Sequence, residues 1–300
     1  MSSDQVEREQ VSGLQPDSGR IGRFLESLSR PGRRWTVELR PPAMDLSVEG
    51  SVDVWIELNR TVRALLGDGR FVLFTDGAVG SREEESLQHV TSNLGQDTDL
   101  SRVVPFLTCK HTLDYCLLFA RRAAAHGVDA ITVTGGDESV GLPRCVSRSR
   151  DLRRLIRERV PELRLGAWVN PSRDSTEQVE LLLDPEHCAD YYVMQVVSHH
   201  RLEPLDRFLE EAVRRGLKLP GLVGVFFYRS ASLKTLTRLE EFIPVPREEL
   251  VAEFSAGASA EAVCARTLRA LADRGVEKTY ISNLDPRRAA RCLDALERML

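Results

Sequence analysis

Eight short segments rich in β-branched and aromatic residues recur along the chain, and each is followed by a segment with helical periodicity. The predicted strands are residues 35–39, 70–75, 102–108, 129–134, 162–169, 189–197, 222–228 and 277–282. Several of these segments are continuously apolar, which is typical of parallel strands that are buried on both faces. The alternation therefore predicts an α/β protein built on a parallel sheet.

The number of strand–helix units favours one closed sheet over an open one. Eight units over about 270 residues match the usual size of a (β/α)8 barrel. An open doubly wound sheet is the competing arrangement, but no linker or break in composition divides the units into halves. We therefore predict a single-domain (β/α)8 TIM barrel over residues 19–300, preceded by a polar, disordered tail over residues 1–18.

Charge and composition exclude several classes of partner. The net charge of −4 and the pI near 6.0 lack the basic footprint of a nucleic-acid-binding protein. No apolar run reaches the roughly 18 residues of a membrane helix, and the N-terminus lacks the pattern of a secretory signal. The six cysteines include no CxxC pair, which is typical of reduced thiols in the cytosol. We expect a cytoplasmic enzyme without nucleic-acid or membrane partners, and a homo-oligomer remains open.

Polar residues gather at the carboxyl ends of the predicted strands, where TIM barrels place their chemistry. The ends carry Glu38, Thr75, Asp76, Thr108, Thr134, Gly135, Gly136, Asp137, Trp168, Asn170, Gln195, Tyr228 and Ser282. Glu38 and Gln195 each interrupt an otherwise apolar strand. Since a buried polar group without a partner costs about 1–3 kcal/mol, functional roles are favoured for both.

Two glycine-containing strand ends are candidate ligand-binding sites. The stretch ITVTGGDES (131–139) fits a phosphate cradle, a metal-binding loop or a catalytic acid at a strand end, and its residues alone leave all three open. The stretch TDGAVGS (75–81) lacks the phosphate-loop pattern GxxxxGK[ST]. We interpret the second stretch as a flexible loop that faces a ligand.

Two further candidates receive a structural interpretation. His199 and His200 follow the sixth strand, but adjacent side chains are expected to point apart there and no HxxxH spacing supports them. No metal site is therefore predicted. Cys109 is interpreted as an inert buried thiol, because the sequence offers it no cationic partner.

Seven motifs occur in the order and spacing of one known family. They are VELRPP (37–42), TDGAVGS (75–81), PFLTC (105–109), TGGD (134–137), MQ (194–195), GLKLPGLVGVF (216–226) and GVEKTYISNLD (275–285). Together they resemble the methylenetetrahydrofolate reductase family over about residues 35–299. The resemblance implies a (β/α)8 barrel that reduces 5,10-methylenetetrahydrofolate to 5-methyltetrahydrofolate, usually through FAD and a nicotinamide donor.

The same resemblance implies roles for individual residues. Glu38 would protonate N10 of the folate and open its five-membered ring, which yields an iminium electrophile. Asp137 would lie near the pterin and favour the cationic intermediate, and Gln195 would hydrogen-bond the pterin. Thr75 and Thr108 are predicted as further substrate contacts. A general acid that works near neutral pH needs a raised pKa, which an apolar barrel mouth provides by desolvation.

The departures from the family pattern concern its flavin contacts. Phe106 stands where the family has histidine, and Gly135 stands where it has arginine. The loop at 168–170 lacks the usual Tyr/His pair, and apolar residues at 181–183 replace a lysine. We therefore expect a reductase without bound FAD, in which NADH or NADPH delivers hydride directly to the folate.

The predicted dinucleotide contacts are Gly135, Gly136, Trp168, Asn170 and Tyr228. Gly135 lacks a side chain, so we expect room there for a ligand to approach the backbone. Three other interpretations remain: an FAD-dependent member of the family, a tetrahydrofolate-dependent methyltransferase or demethylase, and a non-catalytic folate-binding barrel. The choice between NADH and NADPH stays open.

Overall fold

The computed structural model describes residues 22–77, 82–94, 98–136 and 141–300. Its strands are β1 (Arg34–Leu39), β2 (Val72–Phe74), β3 (Val103–Thr108), β4 (Ala130–Thr134), β5 (Arg164–Val169), β6 (Tyr191–Val197), β7 (Gly221–Phe226) and β8 (Lys278–Ser282). Its helices are α1 (Arg23–Ser29), α2 (Val48–Gly67), α3 (Ser86–Asn93), α4 (Leu113–Ala125), α5 (Ser149–Arg159), α6 (Ser175–Leu183), α7 (Glu203–Arg214), α8 (Leu233–Glu240), α9 (Arg247–Ser255), α10 (Ala260–Ala272) and α11 (Ala289–Met299). The tail predicted for residues 1–18 lies outside the described residues.

The eight strands form one closed parallel barrel in sequence order, and β8 pairs with β1 to close it. The predicted (β/α)8 TIM barrel is confirmed, and each predicted strand segment overlaps one of the observed strands. The open doubly wound sheet is excluded, because such a sheet has two unpaired edges.

The side chains of β1 alternate between the helical layer and the barrel interior. Val37 and Leu39 belong to the apolar cluster that includes Leu58 and Val62 of α2, so they face outward. Because neighbouring side chains on a strand point to opposite faces, Glu38 points into the barrel. The interruption in the apolar pattern thus marks an inward-facing carboxyl.

The amino-terminal end of the barrel is closed by α1. Phe24 is fully buried, and its ring packs edge-on against the rings of Phe71 at 5.3 Å and Tyr191 at 5.1 Å. The backbone N–H of Arg23 donates to Asp129, the residue before β4, at 2.7 Å. This plug leaves the opposite, carboxyl end of the strands, called the barrel mouth below, as the place for a site.

Gly166 makes room for a hydrogen bond across the barrel interior. The hydroxyl groups of Tyr191 on β6 and Thr132 on β4 lie 3.0 Å apart, with β5 between their strands. A Cβ on Gly166 would lie 2.5 Å from the ring of Tyr191. Only glycine therefore lets the tyrosine ring reach the threonine at this position.

The connection between β7 and β8 contains one more helix than the sequence pattern predicted. One helix was expected after Pro246, whereas the structure has both α9 and α10 there in addition to α8. No helix within the described ranges has the length and apolar character to cross a membrane.

Candidate active site

Glu38 lies at the barrel mouth and is 9% exposed. The hydroxyl of Ser282, at the end of the neighbouring β8, donates to Glu38 Oε1. Burial raises the pKa of Glu38 to about 7, the Ser282 hydrogen bond and the charge of Arg40 oppose the rise, and the charge of Glu83 adds to it. The residue is therefore a carboxyl that exchanges its proton near neutral pH, as a general acid requires.

Glu83 is a second buried carboxyl near Glu38. Its side chain is 1% exposed and accepts from Arg40 Nε at 2.9 Å. The Thr75 hydroxyl donates to it at 2.7 Å and the Gly77 N–H at 2.9 Å. Burial raises the pKa of Glu83, and these partners oppose the rise. Thr75, predicted to contact substrate, thus has its hydroxyl committed to Glu83.

The position of Glu83 depends on pairing between two loops. Ala43, in the loop after β1, forms an isolated antiparallel bridge with Glu83. The Glu84 N–H donates to Pro42 O at 2.9 Å, and the Met44 N–H donates to Arg82 O at 2.9 Å. The sequence pattern predicted a helix near residues 83–95, whereas α3 begins at Ser86, so Glu83 was assigned to a helix and missed as a site residue. The one available signal was the run of three acids at 83–85, directly before the observed α3.

Asp76 organises the adjacent part of the mouth. Its Oδ2 accepts the Thr108 N–H at 2.6 Å, and His111 Nε2 donates to its carboxylate at 2.9 Å. Burial would lower the pKa of His111, but the hydrogen bond and charge of Asp76 outweigh it and raise the pKa. Thr108 lies at the mouth as predicted, and its backbone is fixed by this carboxylate.

Gly135 and Gly136 follow β4 at the mouth, but Gly135 does not leave open space. The guanidinium of Arg144 donates to both glycine carbonyls at 2.8 Å. A Cβ on Gly135 would lie 2.8 Å from Arg144 Cζ. The expectation of free room at Gly135 is therefore wrong, because a side chain from the following loop covers it. Asp137 lies outside the described residues.

A polar cavity of about 440 Å³ adjoins these glycines. It is lined by Lys110, Arg144 and the segment 143–147. Gly136 has φ +71°, and a Cβ there would lie 2.7 Å from Lys110 Cγ. The chain thus needs glycine at this position both for its backbone conformation and for the close lysine.

Gln195 lies at a bulge in β6. The pairing register between β6 and β7 shifts between Met194 and Val196. Bulges are frequent at barrel rims next to active sites, where they redirect a side chain. Gln195 is half-buried, and its Oε1 accepts the Val196 N–H at 3.0 Å. The side-chain amide NH2 group is thus the part suited to a ligand.

The three remaining predicted contacts differ in their surroundings. Trp168 is half-buried and packs edge-on against Phe106 at 5.9 Å. Asn170 Oδ1 accepts the Ser172 N–H at 3.0 Å, which fixes the local turn. Tyr228 is 5% exposed and belongs to an apolar cluster. Trp168 and Asn170 are therefore more accessible to a ligand than Tyr228.

The paired histidines do not point apart. The ring centroids of His199 and His200 lie 3.9 Å apart, and both rings face Glu253 of α9. The expected divergence is wrong because both residues occupy the centre of a turn, closed by the Arg201 N–H donating to Ser198 O at 3.0 Å. In contrast, Cys109 is fully buried as expected, and burial raises the pKa of its thiol to about 12.

Comparisons with known proteins place the fold. No protein-family model and no curated protein sequence matches this chain. An uncharacterized protein from Clostridium thermocellum that binds two copies of 5-methyl-5,6,7,8-tetrahydrofolic acid superposes with a TM-score of 0.66 and 18% identity, covering 92% of this chain and 96% of that one. An F420-dependent secondary alcohol dehydrogenase in complex with an F420-acetone adduct superposes with a TM-score of 0.55 and 10% identity, covering 90% and 98%. At these identities the likeness establishes the barrel fold.

Proposed function

We propose that this protein reduces 5,10-methylenetetrahydrofolate to 5-methyltetrahydrofolate, with hydride delivered directly from NADH or NADPH. The observation that carries the proposal is Glu38, a buried carboxyl at the barrel mouth whose pKa is about 7. The resemblance of seven motifs to the methylenetetrahydrofolate reductase family supports the same reaction. A similar barrel from Clostridium thermocellum binds 5-methyltetrahydrofolate, the product of that reaction.

The first step is a proton transfer from Glu38 to N10 of the folate. The bond between N10 and the bridging methylene carbon breaks, and its electron pair takes the proton. The methylene carbon then remains on N5 as an iminium cation. A carboxyl with a pKa near 7 is about half protonated at neutral pH, so it can donate this proton and regain one from solvent.

The second step adds hydride to the iminium carbon and forms the methyl group. The dinucleotide supplies the hydride from C4 of its nicotinamide and leaves as NAD⁺ or NADP⁺. Overall, one methylenetetrahydrofolate, one NAD(P)H and one proton give one methyltetrahydrofolate and one NAD(P)⁺. By the family resemblance, Asp137 would stabilise the cation and Gln195 would orient the pterin.

The groups around Glu38 determine the balance between its protonated and ionised forms. Ser282 donates to the carboxyl and Arg40 is positive, so both favour the ionised form. Desolvation and the negative Glu83 favour the protonated form. Since Arg40 is also paired with Glu83 at 2.9 Å, the positive charge is shared and Glu38 keeps its raised pKa.

Direct hydride transfer is favoured over a flavin relay by the residues at two family positions. Phe106 packs edge-on against Trp168, so it offers no polar contact in place of the family's histidine. Gly135 offers no side chain in place of the family's arginine, and Arg144 covers its backbone instead. The protein as purified is expected to lack the visible absorption of bound flavin.

A second candidate function is folate binding without catalysis. It is favoured by the same Clostridium thermocellum barrel, which is described as a binder of two methyltetrahydrofolate molecules. The two functions differ in the behaviour of Glu38→Gln. Reduction requires that this variant loses turnover while it still binds folate, whereas a binding protein has no turnover to lose.

An anaerobic assay tests the proposal. Purified protein is mixed with methylenetetrahydrofolate and either NADH or NADPH, with and without added FAD, and the loss of the dinucleotide absorption is followed. We expect equimolar dinucleotide oxidation and methyltetrahydrofolate formation without FAD. Turnover that requires FAD would contradict direct transfer, and folate binding without any oxidation would support the non-catalytic barrel.

A further inference from the structure

A cluster of two histidines and a glutamate lies beside the barrel mouth and has no part in the proposed reaction. His199 and His200 follow β6 after one intervening residue, and Glu253 lies in the second turn of α9. One nitrogen from each histidine and one carboxylate oxygen all lie within 4.8 Å of one another. All three side chains are largely buried, with exposures of 15%, 12% and 16%.

The distances between these atoms match those around a tetrahedral metal ion. His199 Nε2 lies 3.2 Å from Glu253 Oε1, and His200 Nε2 lies 3.4 Å from Glu253 Oε2. Two ligand atoms at about 2.0–2.1 Å from a tetrahedral zinc ion lie about 3.3 Å apart. His200 Nε2 and Glu253 Oε2 are therefore already spaced as two ligands of one ion, and a ring nitrogen of His199 lies within the 4.8 Å span of the cluster.

Two of the candidate ligand atoms make no hydrogen bond. His200 Nε2 and Glu253 Oε2 are both buried and have no hydrogen-bond partner among the described residues, although they lie 3.4 Å apart. Buried polar atoms in native proteins nearly always have a partner, because leaving them without one is costly. A cation bound between these two atoms would satisfy both at once.

The surrounding residues hold the ligands in place. Thr267 of α10 lies 2.9 Å from His199 Nδ1, and Arg266 donates to Glu253 Oε1. A hydrogen bond at one ring nitrogen fixes the ring and leaves the other nitrogen for a metal, which is the usual arrangement around metal-binding histidines. The bond from Arg266 occupies Oε1 and leaves Oε2 for the ion.

We propose that His199, His200 and Glu253 bind one divalent transition-metal ion, with zinc the best match to two imidazoles and a carboxylate. The fourth position falls to water. The ion links the end of β6 to α9 and through Thr267 to α10. Its role is structural, because it fastens the long β7–β8 connection to the barrel.

A cobalt titration of the full-length protein tests this proposal. The protein is treated with a chelator, dialysed and titrated with Co²⁺ at micromolar concentration, and the visible absorption of tetrahedral Co²⁺ is recorded. We expect saturation at one equivalent, loss of the signal on addition of Zn²⁺, and a higher melting temperature with Zn²⁺. Folded wild-type protein that binds no Co²⁺ under these conditions would overturn the proposal.

Two variants and a matched control locate the site. Glu253→Gln and His200→Ala are each expected to weaken Co²⁺ binding at least about tenfold and to abolish the thermal shift with Zn²⁺. Glu248→Gln changes an exposed acid on the same helix and should bind as the wild type does. Circular dichroism establishes that each variant is folded. Folded Glu253→Gln protein with wild-type binding would assign the metal to another place and contradict the proposal.

Discussion

Replacing Glu38 by glutamine should change how the stability of the protein depends on pH. The pKa of Glu38 is about 7 instead of 4.5 because the carboxyl is buried. One pKa unit is worth about 1.4 kcal/mol, so the difference corresponds to about 3 kcal/mol. Glutamine keeps the shape of the side chain and the acceptor for Ser282, but it cannot ionise.

The sign of the effect follows from which state holds the proton. Below pH 4.5, Glu38 is protonated in both the folded and the unfolded chain. Between pH 4.5 and about 7 the unfolded chain loses this proton while the folded chain keeps it, so the free energy of unfolding falls as the pH rises. Above about pH 7 the loss is complete, at about 3 kcal/mol.

Urea unfolding of wild type and Glu38→Gln at about pH 5 and about pH 8 measures this difference. The stability of the variant relative to the wild type should rise by about 2–3 kcal/mol between the two pH values. The control Glu248→Gln, at an exposed position, should leave the pH dependence unchanged. A change below about 0.5 kcal/mol for Glu38→Gln would refute the assignment of Glu38 as a buried carboxyl with a raised pKa.

Three further predictions concern the neighbours of this carboxyl and the barrel interior. Glu83→Gln removes a negative charge that raises the pKa of Glu38. The alkaline limb of the pH–rate profile should therefore move to lower pH, and an unmoved limb would show that the charge of Glu83 does not influence the pKa of Glu38. Asp76→Asn removes the negative charge that raises the pKa of His111 and leaves at most a weaker, neutral acceptor. NMR titration should therefore show a lower pKa for His111, and an unchanged pKa would contradict the assignment. Gly166→Ala places a Cβ 2.5 Å from a buried tyrosine ring, and urea unfolding should give a loss of about 1–3 kcal/mol; unchanged stability would contradict the tight packing.

The fold was predictable because its signal is repeated eight times. Each strand of a parallel barrel is buried on both faces and appears as a short apolar run, and each run is followed by a helix. Glu38 was predictable for the same reason, since a charged residue stands out in such a run. The boundaries of the long β7–β8 connection were less clear, because its helices have no strand between them to separate their patterns.

The rest of the site depends on contacts made by loops and turns, which the strand–helix pattern does not describe. Glu83 reaches the mouth because the loop after β1 pairs with the segment before α3. Arg144 covers Gly135 from a loop nine residues further on. The histidine pair converges because it occupies a turn and not a strand. Apart from the run of acids at 83–85, none of these contacts has a local sequence signal, so sequence reasoning could name the strand ends but not their partners.

Deuterium tracing tests the central claim of direct hydride transfer. The reaction is run with dinucleotide deuterated at the transferred C4 position, and the methyltetrahydrofolate is analysed by mass spectrometry. Direct transfer predicts one deuterium in the methyl group of every product molecule, and none when unlabelled dinucleotide is used in D₂O. Solvent deuterium in the methyl group, or loss of the label from the dinucleotide to water, would show an exchangeable carrier between the two substrates and contradict the account.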